Sequence, residues 1–245
     1  MLRINNLTVT VENKVIINDL SLTIPKGSKV AVMGPNGSGK STLSNVITGK
    51  YGYEVKEGEI LYNEENILGL EPDERAVKGI YLAFQYPLEI AGIATSSFLR
   101  SSLNAIRKAK GQEPINTREY LKECNLVSEK LGFDKSFLSR EMNKGFSGGE
   151  KKKNEIFQLL MIKPELCILD EIDSGLDIDS LKLISKGISE YSSDANSMLI
   201  ITHYQRLLEH VRPNIVHIFN NGKIVESGDY ELVKILEKKG YKEFN

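Results

Sequence analysis

The sequence predicts an α/β fold in which a largely parallel sheet is interrupted by one long helical insertion. Three observations carry this expectation. Short apolar or alternating segments recur in both the N-terminal and C-terminal parts of the chain, as strands do. Helix-like stretches lie between them, the alternation that builds parallel sheets. From about residue 86 to residue 160 the strand signals give way to helical pattern, broken at Gly111, Pro114 and Gly132. The expected organisation is a single domain over 1–245, with core lobes 1–85 and 161–245 and a helical subdomain 86–160.

The elements follow in order. Residues 2–11 alternate apolar and polar side chains, and Leu20, Leu22 and Ile24 repeat the pattern before Pro25-Lys26-Gly27 stops it. Residues 29–33 form an apolar run that ends in a glycine-rich loop, and 41–48 have helical character. Further strands are expected at 58–62 and 80–84. Beyond the insertion, strand patterns return at 166–169, 198–201 and 215–219, with 181–191 helical between them. Asn220-Asn221-Gly222 is a hairpin signal leading into Ile224-Val225.

Composition narrows the function classes. The 245 residues are 40% hydrophobic, enough for a large buried core. Lys and Arg total 32 against 33 Asp and Glu, a formal net charge of −1. That balance gives no electrostatic reason to expect nucleic acid or an anionic membrane surface as a partner. Apolar runs such as Met198-Leu199-Ile200-Ile201 fall far short of a membrane span, so direct membrane insertion is not expected. Cys124 and Cys167 lack metal-ligand spacing and read as reduced thiols. The N-terminus enters strand-like sequence without signal-peptide or transit-peptide character, so a cytoplasmic setting is expected, with a plastid stroma as the alternative.

The strongest chemical signal is Gly34-Pro35-Asn36-Gly37-Ser38-Gly39-Lys40-Ser41, a complete phosphate-binding loop between a strand and a helix. Its glycines let backbone N–H groups approach phosphate oxygens, and the helix N-terminus adds partial positive charge. Lys40 offers a full charge to the terminal phosphates, and Ser41 offers a hydroxyl to Mg²⁺. ATP and Mg²⁺ are the expected cofactors. A second signal is the apolar strand 166–169 ending in Asp170-Glu171. Asp170 suits a Mg²⁺ ligand, and Glu171 suits a general base for an attacking water. Two solvated acids in a turn would look the same in isolation; the phosphate loop favours the chemical reading.

Ser147-Gly148-Gly149-Glu150 opens another helix. Ser147 and Glu150 form a capping box, which would start any helix. The two adjacent glycines sacrifice helix propensity and make sense if the backbone must lie close to an anion. Phe146-Ser147-Gly148-Gly149-Glu150 resembles the signature of the ABC (ATP-binding cassette) ATPases. The resemblance extends over the whole chain, with Gln85 at the position of the Q-loop glutamine, Ser174-Gly175-Leu176-Asp177 at the D-loop, and His203 at the switch histidine. It implies an ABC ATPase nucleotide-binding domain, a P-loop core with a mixed sheet and an inserted helical subdomain. It also implies that Thr42 and Gln85 join the nucleotide site, that Gln85 shares the metal with Ser41 and Asp170, and that Lys40, Glu171 and His203 are catalytic. By the same resemblance Ser147, Gly148, Gly149 and Glu150 act in trans on ATP held by a second copy, with Ser174 and Asp177 at the junction.

Longer stretches narrow the resemblance further. Ala83-Phe84-Gln85-Tyr86-Pro87, Gly145 to Lys152, Cys167 to Asp179 and Thr202-His203-Tyr204-Gln205-Arg206 are similar to the SUF branch, the ATPases of iron–sulfur cluster assembly. This implies SufB- and SufD-like scaffold proteins as partners and transient homodimerisation on ATP; the region 86–99 reads equally as a docking surface for them or as a simple connection between the lobes. The ATPase subunit of an importer is the competing expectation, and a non-enzymatic module a third. Residues 11–15 lack the aromatic that many ABC domains stack on adenine, so weak base selectivity is expected. The lysine run 151–153 is open to two readings: a solvated basic face, or one lysine pairing with an acid near the ATP site.

Overall fold

The computed structural model describes residues 1–244. Residue contacts divide the chain into two compact units. The first comprises 1–82, 165–173 and the chain from Ser193 onward; the second comprises 83–164 and 174–192.

β1 (Leu2–Val11) and β2 (Lys14–Ile24) form an antiparallel hairpin turned at Glu12 and Asn13, both at positive φ. β3 (Lys29–Met33) feeds the glycine loop and α1 (Lys40–Ile47). β4 (Glu54–Tyr62) and the short β5 (Glu65–Asn66) follow. α2 (Pro72–Val77) starts on a capping box of Glu71 and Glu74 with proline in the first turn, and β6 (Ile80–Ala83) comes next. The helical unit contains β7 (Ile90–Ala94), α3 (Thr95–Ala109), α4 (Thr117–Leu131), β8 (Glu141–Met142) and α5 (Gly148–Ile162). β9 (Leu166–Asp170) returns to the first unit, and α6 (Ile178–Tyr191) lies in the second. β10 (Ser197–Thr202), α7 (Gln205–Val211), β11 (Ile215–Asn220), β12 (Lys223–Gly228) and α8 (Glu231–Lys239) complete the first unit, with a final 3₁₀ turn at Tyr241–Phe244.

Two sheets make up the first unit among the described residues. One has the order β12-β11-β3-β10-β9-β6, and the other β2-β1-β4-β5. In the larger sheet β3 pairs parallel with β10 and β11, and β10 pairs parallel with β9, while the β11–β12 hairpin pairs antiparallel. The second sheet is antiparallel throughout, a separation the sequence reading did not anticipate. Burial explains the difference. β9 and β10 are buried at every residue, as strands covered on both faces must be. β1 and β2 alternate buried with exposed positions, as antiparallel strands with one solvated face do. One continuous core of Leu, Ile and Val from β1, β2, β3, β4, α1, β9 and β10 joins the two sheets.

The second unit is mainly helical, with a small antiparallel pair, β7 and β8, that the sequence reading missed. β7 has no buried residue and carries a glycine, so its pattern is weak. A phenylalanine cluster anchors this unit: Phe137 meets Phe157 edge-on at 5.1 Å and Phe133 edge-on at 5.9 Å. The expected core lobe 161–245 included the helix 181–191; the structure groups that helix with the second unit. Its Gly187 explains the grouping, because a Cβ there would lie 2.2 Å from Cγ2 of Ile156 on α5. Only a residue without a side chain lets α5 and α6 approach this closely.

Gly187→Ala therefore overpacks the α5–α6 contact. We expect a loss of about 1–3 kcal/mol in urea unfolding. Gly69→Ala, where no atom lies within 4 Å of the new Cβ and φ is ordinary, serves as the neutral comparison. Equal stability of the two variants would contradict the packing account.

Candidate functional site

The site in the first unit grows from three neighbouring parallel strands that end at one sheet edge. Met33 ends β3, Thr202 ends β10 and Asp170 ends β9, with Thr202 in register with Met33 and Ile201 with Asp170. The chain after each end carries the chemistry: the glycine loop after β3, Glu171 after β9 and His203 after β10. Crevices at the carboxyl ends of parallel strands are the usual ligand positions of such sheets.

The glycine loop has no room for other side chains. A Cβ on Gly34 would sit 2.1 Å from the Phe219 carbonyl oxygen. Gly39 caps α1 at φ 105°, a conformation reserved for glycine. The Ser38 hydroxyl is buried inside the loop with no protein hydrogen-bond partner. A buried donor left over in a phosphate-shaped cradle suits a ligand rich in oxygen acceptors. Pro35, Asn36 and Gly37 complete the loop, and Thr42 follows Ser41 on α1.

Lys40 is 3% exposed. Its Nζ donates to the carbonyl oxygens of Gly34 and Pro35, each at 2.9 Å, and lies 3.5 Å from Oε1 of Glu171. Burial pushes its pKa down, opposed by the neighbouring Glu171 and Asp170 carboxylates. Glu171 is also buried and holds a left-handed backbone, φ 45°, fixed by its N–H donating to the Ile201 carbonyl at 2.8 Å. A glutamate at positive φ stores strain, and such positions concentrate at functional sites. His203 brings Nδ1 to 3.3 Å from the same Oε1, an electrostatic contact rather than an aligned hydrogen bond. Lys40, Glu171 and His203 thus converge on one carboxylate oxygen.

Asp170 accepts from Ser41 Oγ at 3.2 Å through Oδ1, and from Ser44 Oγ at 2.7 Å through Oδ2. The Ser41 hydroxyl and the Asp170 carboxylate are hard oxygen donors side by side on a buried edge. They fit Mg²⁺, which takes one or two such protein groups together with substrate phosphates.

Two residues in this cluster escaped the sequence reading. Ser44 lies one helical turn after Ser41, and the i, i+3 spacing places both hydroxyls on Asp170. Asp173 is buried, and Thr202 Oγ1 donates to both of its carboxylate oxygens at 2.9 and 3.1 Å. Burial pushes the Asp173 pKa up, and the Thr202 hydrogen bond opposes it. An acid two residues beyond Glu171 was legible as a residue type, but nothing in the sequence indicated its burial.

The remaining candidates lie in the second unit, each in its own local structure. Ser147 caps α5: its N–H donates to Glu150 Oε2 at 2.8 Å, and its Oγ accepts from the Glu150 N–H at 3.2 Å. Arg140, another unanticipated residue, binds Glu150 Oε1 at 2.8 Å and stacks over Phe146 at 4.1 Å. These contacts hold the Glu150 carboxyl below its usual range. Gly148 has open space around it, and a Cβ on Gly149 would come within 3.3 Å of Ser180 Oγ. Asp177 caps α6 through the Ser180 N–H at 2.7 Å, with Ser174 half-buried just before it. The Gln85 carbonyl accepts from Lys152 Nζ at 2.5 Å. Lys152 is itself buried and also donates to the Phe84 carbonyl at 3.0 Å, so it does not belong to a solvated face. Lys151 pairs with Glu89 at 2.6 Å. In the expected docking segment Tyr86 and Leu88 are 79% and 70% exposed. No helix among the described residues is long and apolar enough to cross a membrane.

The Asp173 environment yields a signed prediction. A carboxyl whose pKa is raised on folding loses stability as pH rises from its unfolded value through its folded one. Thr202→Val removes the opposing donor and raises that pKa further. Its destabilisation, about 1.5–3 kcal/mol for a hydrogen bond to a charged group, should be larger at pH 7 than near pH 4 in urea melts. A pH-independent loss would contradict it.

Comparisons with known proteins show the family and the fold. A family model described as "ABC transporter" matches residues 17–174. The chain is 47% identical over 244 residues to the "Probable ATP-dependent transporter SufC" of Escherichia coli strain K12, covering 98% of this chain and 97% of that protein. It is 50% identical over 244 residues to the "Probable ATP-dependent transporter slr0075" of Synechocystis, covering 98% and 94%. Among solved structures, the ADP conformation of the ATP-binding cassette MJ1267 superposes with a TM-score of 0.77 at 26% identity, covering 98% of this chain and 95% of that one. The dimeric bacterial ABC transporter cassette MJ0796 superposes with a TM-score of 0.78 at 20% identity, covering 94% and 98%, a likeness of fold.

Proposed function

Because this chain belongs to the ABC transporter family and is an ATP-hydrolysing cassette of that family, we propose that it is the ATPase subunit of a SUF-type iron–sulfur cluster assembly complex. In this reading ATP-dependent pairing of two copies drives a conformational change in a SufB- and SufD-like scaffold. The observation that carries it is the end-to-end identity of 47% with SufC of Escherichia coli, over 98% of this chain. The exposed Tyr86 and Leu88 beside Gln85 provide apolar side chains suited to docking on such a scaffold. The reading places the chain in the cytoplasm, or in a plastid stroma, with no role for nucleic acid.

The roles follow from the charges. ATP binds with its phosphates along residues 34–42, where backbone N–H groups and Lys40 neutralise them. Lys40 then exchanges the loop carbonyls for phosphate oxygens. Ser41 and Asp170, with Gln85, would hold Mg²⁺, which when bound neutralises charge on the terminal phosphates. Glu171 takes the proton of the attacking water as its oxygen bonds to the γ-phosphorus and the bond to the β-γ bridging oxygen breaks. His203 donates to the γ-phosphate from the same side. Ser147, Gly148, Gly149 and Glu150 of a second copy close over that phosphate, with Ser174 and Asp177 at the junction. The capping box leaves the first N–H groups of α5 available to an anion, as a helix N-terminus allows.

The names of these relatives, probable ATP-dependent transporters, favour a second reading, a transporter subunit that docks on membrane helices. ATPase rates of the purified chain with and without a SufB–SufD-type scaffold separate the two. We expect slow turnover alone and a strong rise with scaffold. Glu171→Gln should lower kcat by about 10²–10⁴ in both conditions. A competent enzyme that the scaffold leaves unstimulated would support the transporter subunit instead.

Nucleotide selectivity offers an independent check. The hairpin turn at 11–15 presents Val15, half exposed, and no aromatic ring for the base. ATP and GTP should therefore bind with affinities within a few-fold of each other in a titration. A strong preference for ATP would show that the base is held elsewhere.

A further inference from the structure

We propose that Tyr241 is a positioning residue for ATP hydrolysis, its hydroxyl anchoring the backbone of His203 to the turn that follows α8. The inference rests on the reading of His203 as the γ-phosphate contact.

The geometry starts from the end of α8. Gly240 adopts φ 72°, ψ 169°, and its N–H closes the helix on Leu236 at 2.7 Å. A left-handed glycine at this position turns the chain back, so that the 3₁₀ turn Tyr241–Phe244 lies on the catalytic edge instead of continuing outward. Two contacts pin the turn: Asn220 Nδ2 donates to the Phe244 carbonyl at 3.5 Å, and Lys239 pairs with Glu243 at 3.1 Å. Asn220 ends β11, directly after Phe219, whose carbonyl oxygen leaves no room for a side chain on Gly34.

The Tyr241 hydroxyl donates to the His203 carbonyl at 3.5 Å. A phenol can donate in this way for as long as it keeps its proton. Burial pushes its pKa up to about 12, so it stays a donor at neutral pH. The hydroxyl thus holds the backbone of the residue that faces the phosphate loop from the next strand. It touches no reacting atom and acts through His203. Nothing near Tyr241 in the sequence points to this, because a tyrosine 38 residues beyond His203 reads as ordinary packing.

Tyr241→Phe keeps the ring and removes the hydrogen bond. In the scaffold-bound ATPase we expect kcat to fall about fivefold to tenfold while KM for ATP moves little and the melting temperature drops by no more than about 2–4 °C. Phe244→Ala loosens the same turn without touching the hydroxyl and should keep kcat near wild type. A Tyr241→Phe enzyme with wild-type kcat would overturn the proposal. So would an equal kcat loss in Phe244→Ala, which would assign the effect to packing of the turn. His203→Ala separates the premise from the inference. If it turns over normally, the reading of His203 fails and the inference with it. If it is inactive while Tyr241→Phe is fully active, the inference alone fails.

Discussion

One carboxylate sets the geometry on which the rest depends. Asp170 ends a fully buried strand and receives hydroxyls from two successive turns of the phosphate-loop helix. An aspartate held this way has little rotamer freedom, and it fixes the distance from the end of β9 to the start of α1. Glu171 follows in a strained backbone that only a rigid neighbour can maintain. A one-residue slip in the register of β9 against β10 would turn Asp170 to the other face of the sheet. The parallel register of β9 with β10 then brings His203 to the Glu171 oxygen that Lys40 approaches from the loop.

The electrostatics of this edge are those of a site awaiting a polyanion. Lys40 spends its charge on two loop carbonyls and on Glu171, while burial lowers its pKa. A phosphate chain offers that ammonium far stronger acceptors than a peptide carbonyl, since hydrogen bonds between charged groups are roughly twice as strong as neutral ones. The second unit carries a helix N-terminus whose glycines leave the backbone bare and whose Ser147 and Glu150 are satisfied by each other. Arg140 holds that cap in place through Glu150 and Phe146.

Much of this was legible in the residues. The phosphate loop, the apolar strand ending in two acids and the strand ending at His203 carry short-range patterns that local physics enforces. The helical insertion was visible because its periodicity changes. Other features are tertiary and leave no local trace. The antiparallel second sheet shares its residue types with the parallel one and differs in which faces are covered. Lys152 stands in a lysine run that reads as solvated, yet burial places its ammonium on two backbone carbonyls. Asp173 and Tyr241 become notable only through their neighbours, a threonine on the adjacent strand and a histidine carbonyl far away in sequence.

The central claim is that the cluster on the sheet edge is half of a catalytic site and that the signature of a second copy completes it. Complementation tests this most directly. Lys40→Ala disables the phosphate loop and leaves the signature intact. Ser147→Asp keeps a good helix cap but sets a negative charge against the γ-phosphate. Each variant, assembled with scaffold, should hydrolyse ATP poorly. Mixed in the same assemblies, they form pairs that contain one intact loop facing one intact signature, and ATPase activity should rise well above either alone. Activity that stays at the level of the two separate variants would show that each copy works within itself and would contradict the account.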